Sequence, residues 1–146
     1  MPTKAKRTKN RVIVQYAVPR RGVPAAASLR RWALAVASSD VTLVVVGEKE
    51  GRRLNARFRG KKRATNVLSF PYGGGHGEVV LCHPVIAREA RAQGKTLASH
   101  YAHLVMHGVL HLRGYTHERP PDARRMERAE IRALERFGLR NPYELE

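Results

Sequence analysis

The amino-acid sequence predicts an α+β domain, a small mixed four-stranded sheet packed with about five helices. Three observations lead there. Four short apolar or alternating runs are interleaved with five segments of helical periodicity. The chain has 146 residues, enough for one domain with one core. Hydrophobic residues make up 42%, too many for a disordered chain. Residues 1–10 read as a basic, mobile N-terminus and residues 11–146 as the single domain.

The elements follow in order. Arg11–Ala17 (RVIVQYA) alternates like a strand, and VPRRGVP at 18–24 is a linker. Ser28 to Ala37 reads as a helix, with Leu29, Trp32, Ala33 and Val36 on one face. Val41–Val46 (VTLVVV) is β-branched and apolar throughout, as in a strand covered on both faces. Glu48 to Phe58 is helical and leads into the basic turn Arg59–Arg63. Thr65–Phe70 is a strand that Pro71 is expected to stop. Tyr72–Gly77 (YGGGHG) reads as a flexible loop and Glu78–Cys82 as a short strand. Pro84 to Gln93 and Leu97–Leu112 are helices, and Arg113–Pro121 is an irregular turn. Asp122–Phe137 is the last helix, with Asp122 expected as its N-cap and Gly138 as its stop. Met126, Ile131, Leu134 and Phe137 would form its apolar stripe.

Composition narrows the function. No apolar run approaches the ~18–20 residues of a membrane span, and the N-terminus lacks the apolar stretch of a secretory signal. Cys82 is the only cysteine, which excludes an internal disulfide and a cysteine-based zinc site and fits a cytosolic protein. Net charge is +16. Residues 1–117 carry 21 basic and 5 acidic side chains, whereas 118–146 carry 7 of each. The positive field therefore belongs to the body of the domain, where it would attract a polyanion such as nucleic acid.

Four histidines, His100, His103, His107 and His111, share one arc of the long helix. Two histidines four apart stack one turn over another and can reach a single ion. His103 and His111 are eight apart, ~12 Å along the axis, too far to share one. A third ligand must come from outside the helix. Gly114 can turn the chain, and His117 follows three residues later. His107, His111, Gly114 and His117 together have the ligand spacing of extended zincin sites, so the fold class includes a zincin-like metal site on a central helix. Three imidazoles leave a fourth tetrahedral position open, as in catalytic zinc sites. His100 and His103 are expected to be supporting or surface residues, His76 a loop residue and His83 a strand end. Zincin proteases carry Glu directly after the first histidine as general base, and here that position is Gly108. Peptide hydrolysis is therefore not expected. A metal beside a positive field suits phosphodiester cleavage instead.

Two stretches carry a family resemblance. His107–His117 reads HGVLHLRGYTH and Leu54–Pro71 reads LNARFRGKKRATNVLSFP. They resemble HGxLHLxGYDH and LNxxYRxxxxxTDVLSFP, the signatures of the YbeY endoribonucleases, or rRNA maturation factors. The similarity runs from about Val41 to Leu139. The resemblance implies one Zn2+ held by His107, His111 and His117 in a cytosolic, single-domain, single-strand-specific endoribonuclease. It implies roles in small-subunit rRNA 3′-end processing and ribosome quality control. The implied partners are rRNA, the ribosomal small subunit and its assembly proteins, with neither DNA nor membrane expected. It also implies Arg59 as the catalytic arginine, and a guanidinium is suited to clamping phosphate and stabilising transition-state charge. Arg57, Lys61, Lys62 and Arg63 would extend a phosphate track, while Asn66, Ser69 and the glycine loop would shape the cleft.

Three positions depart from the family pattern. Asn66, Glu78 and Thr116 stand where it has Asp, so the carboxylates expected to support the metal site are replaced or moved. Glu118 is a nearby carboxylate with an expected surface role. The competing reading is a ribosome-binding assembly factor with a mainly structural zinc and little catalysis.

Overall fold

The computed structural model describes residues 10–144. Of the basic N-terminal segment only Asn10 lies among them. The element order is β1 (Val12–Tyr16), α1 (Ala26–Leu34), β2 (Val41–Val46), α2 (Glu48–Arg59), β3 (Val67–Gly73), β4 (His76–Cys82), α3 (His83–Ala92), α4 (Leu97–Leu112) and α5 (Pro120–Glu135). The sheet order is β1-β2-β4-β3. β1 and β4 flank β2 in parallel, and β3 pairs antiparallel with β4 at the edge. This is the mixed four-stranded sheet with five helices that the sequence predicts.

β2 explains its own composition. Val41, Leu43 and Val45 face the main core with Leu29, Val79, Leu81, Val105 and Val109. Val46 faces a smaller cluster with Leu68, Val80 and Cys82, against which Leu54 and Val85 pack. A central strand covered on both faces has no solvent side to make polar.

Three local expectations are overturned. Pro71 does not stop β3. It pairs with Gly77, and the strand runs on to Gly73 through a register shift. β3 is an edge strand, where a missing N–H is tolerated. Tyr72–Gly77 is a hairpin rather than a loose loop, turning at Gly74 and Gly75 with φ of +63° and +85°. Its tip is fastened to the α1–β2 connection, where the His76 ring nitrogen Nδ1 lies 3.1 Å from the Asp40 carbonyl. Asp122 is not the cap of α5. The N-cap is Arg119, Pro120 and Pro121 open the helix, and Asp122 sits in its first turn.

α4 runs through the centre. Thr96 caps it, its hydroxyl accepting the Ser99 N–H at 3.0 Å. Leu104, Val105, Met106, Val109 and Leu110 are all buried, and burying each such side chain contributes roughly 1.5–3 kcal/mol. Beyond the first turn only His103, His107 and His111 escape full burial. The one uncovered seam of the central helix is therefore a row of histidines.

Candidate metal centre and its cleft

The end of α4 builds the centre. Gly114, with φ of +96°, turns the chain back in a Schellman arrangement. Its N–H donates to the His111 carbonyl at 3.0 Å, and the Tyr115 N–H to the Leu110 carbonyl at 3.1 Å. The same turn presents the Tyr115 carbonyl to His111, whose Nδ1–H donates to it at 2.9 Å. His117 follows, its ring stacked on that of His107 with centroids 5.4 Å apart and 5.0 Å from that of His111.

These bonds determine where the lone pairs point. The Nδ1–H of His107 donates to Glu130 Oε2 at 2.6 Å. With Nδ1 engaged on both rings, the Nε2 atoms of His107 and His111 face each other as acceptors, 3.2 Å apart. Two nitrogens each ~2.0–2.1 Å from one tetrahedral ion stand ~3.3 Å apart, so the donor set fits zinc. Each of the three histidines offers a ring nitrogen within 4.8 Å of the others. Burial first, then the neighbouring His107 and His117, pushes His111 down to about 4 and keeps its lone pair free near neutral pH.

A second group, His103, His107 and Glu130, meets the same distance criterion and could also hold an ion. Here the contacts are hydrogen bonds. Glu130 is wholly buried and accepts from His103 Nε2 at 3.0 Å, from His107 Nδ1 and from the Tyr143 hydroxyl. Burial alone would raise its pKa, but the bonds from His103, His107 and Tyr143 outweigh it and hold the carboxyl at about 2. An ion placed among these three would displace those bonds. As they stand, Glu130 orients His107 from behind, in the manner of carboxylate–histidine–metal arrangements.

Glu130 was not among the residues the sequence pointed to. The expected stripe of α5 included Ile131 and Phe137, yet Ile131 is only half-buried and Phe137 is exposed. The buried positions are Met126, Glu130, Ala133 and Leu134. The available signal was an acid on the 126-130-134 row, between two apolar residues of one face. The replaced carboxylates have other surroundings. Asn66 donates to Glu89, and Glu78 accepts from the exposed Tyr72 hydroxyl.

A cleft of about 440 Å³ opens over His107, His111 and His117. Arg59, Asn66, Ser69 and Pro71 form one wall, and Gly114 to Glu118 form the other. The glycine stretch at 73–75 does not line it; it turns the β3–β4 hairpin, with Gly75 beside Ser38 and Ser39 of the α1–β2 connection. Ser69 is committed to structure, its hydroxyl donating to the Gly108 carbonyl at 2.9 Å. Glu118 is exposed, as expected, but among the described residues it is also the one carboxylate on the cleft wall.

Gly108 faces the sheet. A Cβ there would lie 2.6 Å from Val79 Cγ1 and 3.2 Å from both Ser69 Oγ and Val67 Cγ2. The position that carries the base in zincin proteases is here occupied by helix-on-sheet packing.

Arg59 ends α2 and is exposed, with no hydrogen bond or ion pair to its side chain among the described residues. Arg52 and Arg53 of the same helix pair with Glu48 and Glu50. Gly60, at φ +68°, turns the chain into the basic segment. Asn55, 5% exposed, pins that segment by donating from Nδ2 to the Arg63 carbonyl at 2.6 Å. Arg57, Lys61, Lys62 and Arg63 are exposed around this turn but do not line the cleft. Arg57 lies over the Phe58 ring at 5.3 Å. Of the other histidines, His100 is buried on Glu89, and His83 starts α3 with Nδ1 2.7 Å from the Tyr101 hydroxyl.

Fold and site together define an α+β protein with a histidine cluster of metal-binding type on its central helix, open to a basic-edged cleft. The family model of endoribonuclease YbeY matches residues 21–138. Endoribonuclease YbeY of Aromatoleum aromaticum is 53% identical over 125 residues, covering 82% of this chain and 81% of the relative. That of Stenotrophomonas maltophilia K279a is 46% identical over 148 residues, covering 90% and 92%. The solution structure of TM1509 from Thermotoga maritima matches with a TM-score of 0.51 at 24% identity, covering 92% of this chain and 99% of that one, and so supports the fold. The chain belongs to the YbeY family of endoribonucleases, which are phosphodiester hydrolases. No helix among the described residues is long and apolar enough to cross a membrane.

Proposed function

We propose that this chain is a zinc-dependent, single-strand-specific endoribonuclease that acts on rRNA. Its roles would be small-subunit rRNA 3′-end maturation and ribosome quality control, in contact with the small subunit and its assembly proteins. The observation that carries this reading is the convergence of His107 Nε2, His111 Nε2 and the His117 ring beneath a cleft whose wall carries Arg59, unpaired among the described residues.

His107, His111 and His117 would hold the ion, which when bound supplies Lewis acidity and an activated water. The rest belongs to the protein. Arg59, with no acidic partner among the described residues, can clamp a phosphate through two N–H groups and stabilise charge gathering on its oxygens. Ser69 and Gly108 fix the floor by tying β3 to α4. The exposed cations of 57–63 attract the backbone from a distance, an effect that weakens with salt.

Metal analysis of purified protein and cleavage of single-stranded and duplex RNA test the reading. His111→Ala should lose both zinc and cleavage, while Arg59→Ala should keep zinc and lose cleavage. Normal cleavage by Arg59→Ala would remove its assigned role, and a wild-type protein that takes up no zinc would remove the metal.

A further inference from the structure

We propose that Tyr143, carried by the C-terminal segment, is a positioning residue for the metal centre, acting through Glu130 on His107. The inference rests on the three-histidine reading above and concerns residues that touch neither ion nor substrate.

The geometry is a relay. After α5, Gly138 turns the chain at φ +70°, and the Leu139 N–H donates to the Leu134 carbonyl at 3.0 Å. Leu139 then packs against the core. The Asn141 side chain accepts the Tyr143 N–H at 2.8 Å and closes a local turn. That turn lays the phenol, itself 41% exposed, against the protein so that its hydroxyl reaches the buried Glu130, with its ring edge-on to His103 at 5.5 Å. Its hydroxyl donates to Oε1 of Glu130, while Oε2 accepts from His107. One carboxylate thus joins the chain terminus to a ligand histidine.

The arrangement is more than a tether. A wholly buried carboxylate is maintained only by its donors. With His103 and Tyr143 on one oxygen, the other is left to His107 alone. His103 supports the same assignment. Its Nδ1 is buried without a partner among the described residues, so the ring carries its hydrogen on Nε2 and directs it to Glu130 at 3.0 Å, with the Tyr143 hydroxyl oxygen at 3.2 Å as the weaker acceptor. Removing the phenol hydroxyl would leave Oε1 to His103 alone and so loosen the carboxylate's hold on His107. Losing such outer partners typically costs ~10–100-fold in metal affinity.

The test is a double-mutant cycle on zinc affinity, measured by chelator competition with Tyr143→Phe, Glu130→Gln and the double variant. Phenylalanine retains the ring contact with His103 and loses only the hydroxyl. Tyr143→Phe should weaken zinc several-fold and Glu130→Gln at least ~10-fold. In the Glu130→Gln background the tyrosine change should add nothing. An unchanged affinity in Tyr143→Phe would overturn the proposal, as would equal losses in both backgrounds, which would mark a merely structural tyrosine. If Glu130→Gln does not fold, Tyr143→Phe with Co2+ as probe decides alone, since a loosened His107 alters the cobalt absorption bands and an intact one does not. Failure of wild-type protein to bind zinc would instead remove the three-histidine reading itself.

Discussion

Replacing Gly108 with alanine should destabilise the protein although it adds one methyl to a helix. Alanine is favoured over glycine in a helix interior by ~0.8–1 kcal/mol. Against that, the new Cβ would lie 2.6 Å from Val79 Cγ1, on a β-branched, fully buried side chain that cannot swing aside. Ser69 Oγ and Val67 Cγ2, each at 3.2 Å, close the other directions. Overpacking of this kind costs ~1–3 kcal/mol. The net expectation is a loss of about 1 kcal/mol and at most ~2, lowering Tm by ~2–4 °C per kcal/mol at this chain length. Urea and thermal unfolding of metal-free wild type and variant measure it. The Ser69–Gly108 bond should weaken too, exposing the β3 amides to faster hydrogen exchange. A variant as stable as the wild type, or more so, would show that there is room at 108, and the packing account of the missing protease base would fall.

Other outcomes follow from the same contacts. Asn55→Ala should cost about 1–2 kcal/mol by leaving the Arg63 carbonyl without its partner, and should raise KM for RNA more than it lowers kcat. Unchanged hydrogen exchange over residues 60–63 would contradict the pinning role. Metal-free protein should lose stability as pH falls from about 6.5 towards 4. In that window unfolded His111 takes up a proton that the folded ring refuses, so the unfolded state binds more protons. Glu130 adds a loss of the same sign below its unfolded value of about 4.3 as pH falls towards 2. Denaturant midpoints that stay flat from pH 7 to 4.5 would refute the burial argument for His111. Cleavage by the zinc-loaded protein should fall steeply with salt through Arg57, Lys61, Lys62 and Arg63, whereas Arg59→Ala should lower kcat at every salt concentration.

The sequence disclosed most of this centre because its parts are local. His107 and His111 share a helix face by periodicity, and Gly114 marks the turn that returns His117. The strands and helices were legible for the same reason, from β2's continuous apolar run to α4's Leu97–Leu112. What stayed hidden depends on tertiary partners. Glu130 looks like one more acid in a charged helix until α5 is laid on α4, when the 126-130-134 row turns out to be the buried one. Tyr143 has no local pattern at all. Pro71 reads as a stop unless β3 is known to be an edge strand. The glycine stretch reads as loose until its tip is seen fastened to Asp40. In the three-histidine reading, Asn66, Glu78 and Thr116 would not leave the cluster without an acid, because Glu130 of α5 accepts from His107.

In the three-histidine reading, one ion sits among His107, His111 and His117, with Glu130 behind His107 as a hydrogen-bond partner. A crystal structure of zinc-loaded protein, with anomalous data across the zinc edge, addresses this directly. A single peak is expected ~2.0–2.1 Å from a ring nitrogen of each of the three histidines, with the His107 Nδ1–Glu130 bond preserved. A peak among His103, His107 and Glu130, or none in the cleft, would contradict it.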